Sequence, residues 1–337
     1  MRILSISDED IARAARALRE GLLVAFPTET VYGLGADAFN PTALARVFRA
    51  KKRPRFDPLI IHIAALEGLD PLADLDALEG ERRDQVRRLC RRLWPGPLTL
   101  ILPKRGAVPD LATAGLPTVA VRFPDHGAAL RLIALSTGAV AAPSANPFGR
   151  LSPTRAEHVR DQLGDRVDLI LDGGRTRVGL ESTVLDMTGP VPRLLRPGGC
   201  PQGEIEALIG PVDISGGGPV NAPGQLKSHY APRTPLTLRG PEEMAAPDYE
   251  AGAGYLFFSG ASRERWSRRL PAGGPAPLTR VLSEKGDGVE AAANLFDTLH
   301  ELDRRGLSRI HAEEAPPEGL GPAINDRLRK AAAAGAS

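Results

Sequence analysis

The chain has 337 residues, 42% of them hydrophobic, with a formal net charge of only +2. That length allows about two domains, each able to bury a core, and the near-neutral balance excludes a protein that coats nucleic acid through overall charge. No 18 apolar residues follow one another, so no membrane-spanning helix is expected; two cysteines, Cys90 and Cys200, and six scattered histidines give neither a disulfide framework nor structural-metal spacing.

From the N-terminus, MRILSISDED has no apolar leader run, so a cytoplasmic, reducing setting is expected. Ser7 caps a helix whose first turn holds Asp8, Glu9 and Asp10; Ile11, Ala14, Ala15 and Leu18 make its buried face, and Gly21 ends it. A short strand follows at 22–26. Asn40-Pro41 opens a second helix, which must stop before Pro54 and so carries Lys51–Arg53 in its last turn. A strand is expected at 59–63 and a basic helix at 81–93, with Val86, Leu89, Cys90 and Leu93 buried and Arg83, Arg87, Arg88, Arg91 and Arg92 mostly on its wet side. Strands at 98–102 and 118–123, a helix at 127–136 and a strand at 139–142 come next. Thr154 and Glu157 have capping-box spacing and predict a helix to about 164, with strands at 169–171, 183–186 and 193–196 beyond it. This alternation predicts a mixed α/β sheet covered by helices. Residues 214–236 are rich in Gly and Pro and read as a linker. The α/β pattern restarts with strands at 236–238, 255–258, 281–282 and 308–312 and a helix at 289–305.

Polar side chains interrupt strand ends in four stretches: PTETVYGLGADA (27–38), KKRPRFDPLIIHI (51–63), VAVRFPDH (119–126) and APSANPFGRLSPT (142–154). Ligands bind where strand ends meet loops in an open α/β sheet, so all four are candidates for one crevice. Taken singly, most have plainer readings. Thr28 and Thr30 suit a turn, Lys51–Arg53 suit a helix C-terminus, Ser144 and Asn146 suit a turn before Pro147, and Thr154 reads as a helix N-cap ahead of a ligand contact. His62 among isoleucines reads as a core histidine. Arg122 is different: inside an apolar strand it needs a carboxylate or phosphate partner. No GxxxxGK[ST] sequence occurs, which excludes a P-loop. Gly33-Leu34-Gly35-Ala36-Asp37-Ala38 fits GxGxxA, but PTETVY separates it from the strand before it, and no acidic residue ends a second strand at the required distance.

In order, PTETVYGLG, KKRP…PLIIH, WPGPLTLIL, VAVRFP, APSAN and ESTVLD resemble the YrdC-type threonylcarbamoyl-adenylate synthases over about residues 8–205, and SHYAPRTPL with the α/β tail resembles the long, two-domain form. The resemblance implies a YrdC-like twisted mixed sheet with covering helices (1–210), a linker serving as an active-site lid (211–235) and a smaller Rossmann-like α/β domain (236–337). It implies the reaction of L-threonine, bicarbonate and ATP, with Mg²⁺, to threonylcarbamoyl-adenylate and pyrophosphate. The group then passes, with threonylcarbamoyl-transferase partner proteins, to the adenosine beside a tRNA anticodon. Carried over by residue, Thr30, His62, Arg122, Ser144 and Ser182 are expected at threonine, with Arg122 on its carboxylate. Lys51, Arg53, Asp57, Thr118, Asn146, Ser152 or Thr154, Arg196 and Tyr230 are expected at the nucleotide, with Lys51 and Arg53 catalytic through the phosphates. Family members often carry Asn at the place of Asp57, so Asp57 is expected on Mg²⁺ or on a neighbouring arginine. Two competing readings are an RNA-binding module gripping through the arginines of 81–93 and the basic cluster at 46–55, and a hydrogenase-maturation carbamoyl-transferase domain, whose cysteine clusters are not in this sequence.

Overall fold

A computed structural model describes residues 1–214, 230–246, 249–270 and 277–333. The elements run β1 (Arg2–Leu4), α1 (Asp8–Arg19), β2 (Val24–Phe26), β3 (Gly33–Asp37), α2 (Pro41–Lys51), β4 (Ile60–Ile63), α3 (Gly80–Leu93), β5 (Leu98–Pro103), α4 (Asp110–Thr113), β6 (Thr118–Arg122), α5 (Gly127–Leu135), β7 (Ala139–Ala141), α6 (Ala156–Leu163), β8 (Leu169–Leu171), β9 (Thr183–Asp186), β10 (Arg193–Arg196) and α7 (Gln202–Ile209). After the linker come β11 (Leu236–Arg239), α8 (Pro241–Met244), β12 (Gly254–Ser259), α9 (Gly260–Ser267), β13 (Leu278–Ser283), α10 (Gly288–Asp303), β14 (Ile310–Glu313) and α11 (Gly321–Ala333). The chain forms two compact units. The first holds Met1–Phe148, Ser152–Arg177 and the described residues from Glu181; the second holds Gly149–Leu151, Val178–Leu180 and the described residues from Tyr230.

The first unit is built on one ten-stranded mixed sheet in the order β1-β8-β2-β3-β7-β4-β6-β5-β9-β10. Its caps follow the sequence. Ser7 accepts from the Asp10 amide, and Asn40 accepts from Thr42 and Ala43 with Pro41 at the first helical position. The main core lies against one sheet face and includes Leu34, Ile61, Ile63, Leu100, Val121, Val86 and Leu89. A second core joins α1 and α5 to Val24, Phe26 and Val140.

The structure accounts for the poor fit of the GxGxxA pattern and corrects one expectation, at Thr154. Gly33–Asp37 is a strand, antiparallel to β2 and β7, and not a phosphate-cradling turn. Its glycine reflects close packing: a Cβ on Gly35 would stand 2.8 Å from the Phe26 ring and 3.0 Å from Val140. Thr154 does not cap α6. The helix begins two residues later, behind Arg155, and the Thr154 amide and hydroxyl turn to His158 Nδ1 at 3.3 and 3.4 Å.

The second unit is a four-stranded parallel sheet, β11-β14-β12-β13, with an aromatic core of Tyr255, Phe257 and Trp266. Tyr230 belongs to it: the ring packs on Phe296 with centroids 5.7 Å apart, and the buried Arg327 guanidinium lies 5.0 Å from its centroid. No helix among the described residues is long and apolar enough to cross a membrane.

Candidate active site

Strand register builds the centre of the site. On β4, β6 and β5, His62 stands opposite Arg122 and Arg122 opposite Thr99, so the three side chains share a row on one face. Two residues along the same face, Ile60, Ala120 and Ile101 form a small apolar cluster with Val184. The face opposite carries the main core, so the polar row is where this sheet stops being core on both sides. The row extends sideways through hydrogen bonds. Thr99 Oγ1 lies 2.7 Å from Ser182 Oγ, and Arg196 donates to the Ser182 carbonyl at 3.1 and 2.8 Å and to its hydroxyl at 3.2 Å. Thr118 sits at the far end of β6 on the same face, roughly 13 Å from Arg122 at strand rise.

Arg122 has a protein partner. Its Nη2 lies 2.7 Å from Glu29 Oε1, and both side chains are buried, at 5% and 0% exposure. Its Nε points to the Gly96 carbonyl at 3.4 Å. Glu29 stands in the turn after β2, which Thr28 fixes by meeting the Thr30 hydroxyl at 2.8 Å and donating to the Val31 carbonyl at 2.7 Å. The sequence reading supplied only a substrate carboxylate for Arg122 and overlooked Glu29, although an acid between two threonines in an apolar turn was a visible signal.

His62 is fully enclosed, its ring edge-on to Phe26 with centroids 6.4 Å apart and its Nδ1 3.3 Å from the Ile60 carbonyl. Burial first, and the Arg122 charge second, push its pKa down to about 3. The ring is therefore neutral at working pH and offers one N–H.

The basic stretch ends α2 as expected, and Lys51 and Arg53 are buried there while Lys52 and Arg55 are exposed. Lys51 is 1% exposed, and its Nζ donates to the Ser144 and Asn146 carbonyls, each at 2.5 Å. The Phe148 amide returns a bond to the Lys51 carbonyl at 2.8 Å. Lys51 thus pins the 144–148 loop to the end of α2, and burial, then the like charge of Arg53, lower its pKa well below the ordinary value. Lys52 turns the chain in the left-handed region (φ 52°). Arg53 then folds back: Nε and Nη2 donate to the Asp57 and Pro58 carbonyls at 3.1 and 2.8 Å, and Nη2 lies 2.7 Å from Asp57 Oδ1. The neighbouring arginine expected for Asp57 is thus within contact distance. Burial raises the Asp57 pKa against the pull of Arg53, Lys51 and Arg196.

Among the remaining expected positions, Thr30, Asn146, Ser152 and Thr154 are buried and Ser144 is half-buried. The Ser152 hydroxyl donates to Glu181 in a very short bond, and Glu181 also acts electrostatically on Lys51. Glu181 and Thr99 are further residues that the sequence reading missed. Thr99 had no signal, because a β-branched residue in an apolar strand is ordinary. Of the linker expected as a lid, 215–229 lies outside the described residues, and Tyr230 packs within the second unit as above. No group of three or more His, Cys, Asp or Glu suited to a metal ion occurs among the described residues.

Comparison with known proteins adds the following. Residues 16–198 match the Sua5–YciO–YrdC family model, described as "Telomere recombination", and residues 201–333 match the model described as "Threonylcarbamoyl-AMP synthase, C-terminal domain". A threonylcarbamoyl-AMP synthase of Pyrococcus abyssi is 44% identical across 97% of this chain and 95% of its own length. One of Bacillus subtilis is 42% identical across 98% and 94%. The crystal structure of P. abyssi Sua5 complexed with L-threonine aligns with a TM-score of 0.87 at 42% identity, covering 99% of this chain and 98% of that one.

Proposed function

The chain belongs to the family of two-domain threonylcarbamoyl-AMP synthases, and from that premise we propose how its residues carry the reaction. It is a nucleotidyltransferase-type enzyme that uses ATP. L-Threonine and bicarbonate supply a carbamate, water leaving as the C–N bond forms. A carbamate oxygen attacks the α-phosphorus of ATP, the bond to the β-phosphate oxygen breaks, and pyrophosphate departs with threonylcarbamoyl-AMP as the product. Partner proteins then transfer the threonylcarbamoyl group to tRNA, in the cytoplasm.

The observation that carries this assignment of residues is the continuous polar row His62–Arg122–Thr99–Ser182–Arg196 on an otherwise apolar face. The Arg122 fork suits the threonine carboxylate. Neutral His62, with Thr30, Ser144 and Ser182, suits the hydroxyl and amine, groups that need hydrogen bonds and not charge. Lys51, Arg53 and Arg196 gather positive charge for the phosphates, with Asn146, Ser152, Thr154 and Thr118 as neutral partners along the nucleotide. Nothing here requires a side-chain nucleophile: positioning and electrostatic stabilisation are sufficient. Oxygen donors suit magnesium, which is commonly held by substrate phosphates with one or two carboxylates. Asp57 stands against Arg53 and Glu181 accepts from Ser152, so the substrate phosphates would hold most of the metal's coordination. Bound with ATP, the metal neutralises phosphate charge.

The test is pyrophosphate release from ATP by the full chain, with threonine and bicarbonate omitted in turn. Release is expected only with both present. Release that ignores either one, or RNA binding with no ATP turnover under any condition, would overturn the assignment.

A further inference from the structure

Resting on the reading in which Arg122 meets the threonine carboxylate, we propose that Glu29 is the positioning residue that aims Arg122. By aiming it, Glu29 sets the enzyme's preference for an amino acid with a free α-carboxylate. A guanidinium on a strand has several rotamers, and only one presents the correct edge to a ligand. Here two anchors choose it. Glu29 holds Nη2 at 2.7 Å and the Gly96 carbonyl faces Nε at 3.4 Å, which leaves the Nη1 side of the fork for a substrate.

Glu29 is built for that task and poorly built for stability. Neither of its buried oxygens accepts a well-directed hydrogen bond, because the Arg122 N–H does not point along the short contact. A buried carboxylate satisfied this sparsely is an expensive way to hold a fold, and an apolar pair of the same volume does at least as well. Its backbone is nevertheless fixed. The Thr28 hydroxyl closes the turn onto Thr30 and Val31, so the carboxylate approaches Arg122 from one direction only. The two residues also come from separate chain segments, the turn after β2 and the last residue of β6, so the contact ties the loop bearing Thr30 to the row bearing His62. Glu29 therefore acts through Arg122, with no contact of its own to the reacting atoms.

The experiment compares Glu29→Gln, Glu29→Asp and Arg122→Met in the full chain, with steady-state pyrophosphate release on threonine and on threonine amide, which lacks the carboxylate. Glu29→Gln is expected to raise the threonine KM about tenfold or more while the ATP KM stays within about twofold, the pattern of a lost substrate contact. It should also shrink the discrimination between threonine and its amide toward the level of Arg122→Met. Glu29→Asp keeps the charge one methylene further back and should recover part of both, and it carries the comparison alone if the glutamine variant does not fold. Unchanged discrimination in both Glu29 variants, with Arg122→Met impaired, would overturn the proposal. A parallel loss for threonine and ATP would reduce Glu29 to a structural role and overturn it equally. Unchanged discrimination in Arg122→Met itself would remove the reading on which it rests.

Discussion

His62 provides the sharpest quantitative expectation. Its ring nitrogens face backbone carbonyls of Ile60 and Val140, which by themselves favour a proton on each nitrogen. Full burial and the neighbouring Arg122 charge oppose that and prevail, bringing its pKa from 6.5 to about 3. In the unfolded chain the ring regains its ordinary value, so below pH 6.5 the unfolded state binds the extra proton and stability falls with it. At pH 5, one and a half units below that value, the loss is about 2 kcal/mol at about 1.36 kcal/mol per unit. Replacing the ring by His62→Asn removes this dependence. The readout is Trp94 fluorescence in urea on a Trp266→Phe background, since the Trp94 indole is buried in the first unit and donates to the Leu98 carbonyl at 2.7 Å. Between pH 7.5 and 5 the parent should lose about 2 kcal/mol more than the His62→Asn variant, the other five histidines contributing equally to both. An equal loss in the two proteins would show that His62 titrates alike folded and unfolded, and the account of its burial would be wrong.

Gly35→Ala places a methyl against Phe26 and Val140, both held inside the second core of the first unit. It should destabilise that unit by about 1–3 kcal/mol, read as a lower urea midpoint of the same Trp94 signal, and a neutral result would contradict the close packing of β2, β3 and β7. Asp57→Asn should leave the Mg²⁺ concentration for half-maximal pyrophosphate release unchanged, since the carboxylate faces Arg53 at 2.7 Å and an amide oxygen can take the same place. A large rise in the magnesium required would move Asp57 onto the metal.

The fold was legible wherever one face of an element is apolar and the other wet. Ser7, the Asn40-Pro41 pair and the stripe of the 81–93 helix fixed three helices within a residue or two. The strand at Gly33–Asp37 was hidden because glycine and alanine carry little hydrophobic signal, and its register came from close approach to Phe26 and Val140. Helix α11 was not anticipated, because alanine carries little apolar periodicity, yet Ile324 and Arg327 on it are buried. The start of α6 was misjudged because Thr154 and Glu157 have capping spacing while tertiary contacts with His158 draw the threonine inward. At the site, the motifs named the residue types, and nothing in one dimension could show that His62, Arg122 and Thr99 fall in a single row. That is a matter of strand order, β4-β6-β5, which brings together residues as much as 60 positions apart.

The same geometry explains why a site for so anionic a substrate is not a cluster of bare cations. A buried guanidinium or ammonium without a partner costs several kcal/mol, so a pocket of free positive charge would not hold its shape before ATP arrives. Each cation here is instead fastened on one side by the protein: Lys51 by two carbonyls, Arg53 by Asp57 and two carbonyls, Arg122 by Glu29, and Arg196 by Ser182. Backbone carbonyls carry only partial charge, so on the assignment proposed above Lys51 and Arg196, which they hold directly, keep most of their field for phosphates. Arg122, paired with the full carboxylate of Glu29, is nearly neutralised at a distance and acts only at contact range, through the directed N–H groups that remain, while Arg53, held by Asp57 and by two carbonyls, lies between these cases. That division suits the chemistry. Phosphates with several negative charges need field, whereas a single amino-acid carboxylate needs orientation, because the amine beside it must be set within reach of carbon and then of the α-phosphorus. Fastened dipoles and charges do not reorganise as charge develops on the departing pyrophosphate, which is the condition under which electrostatics lowers a barrier and does not merely tighten binding.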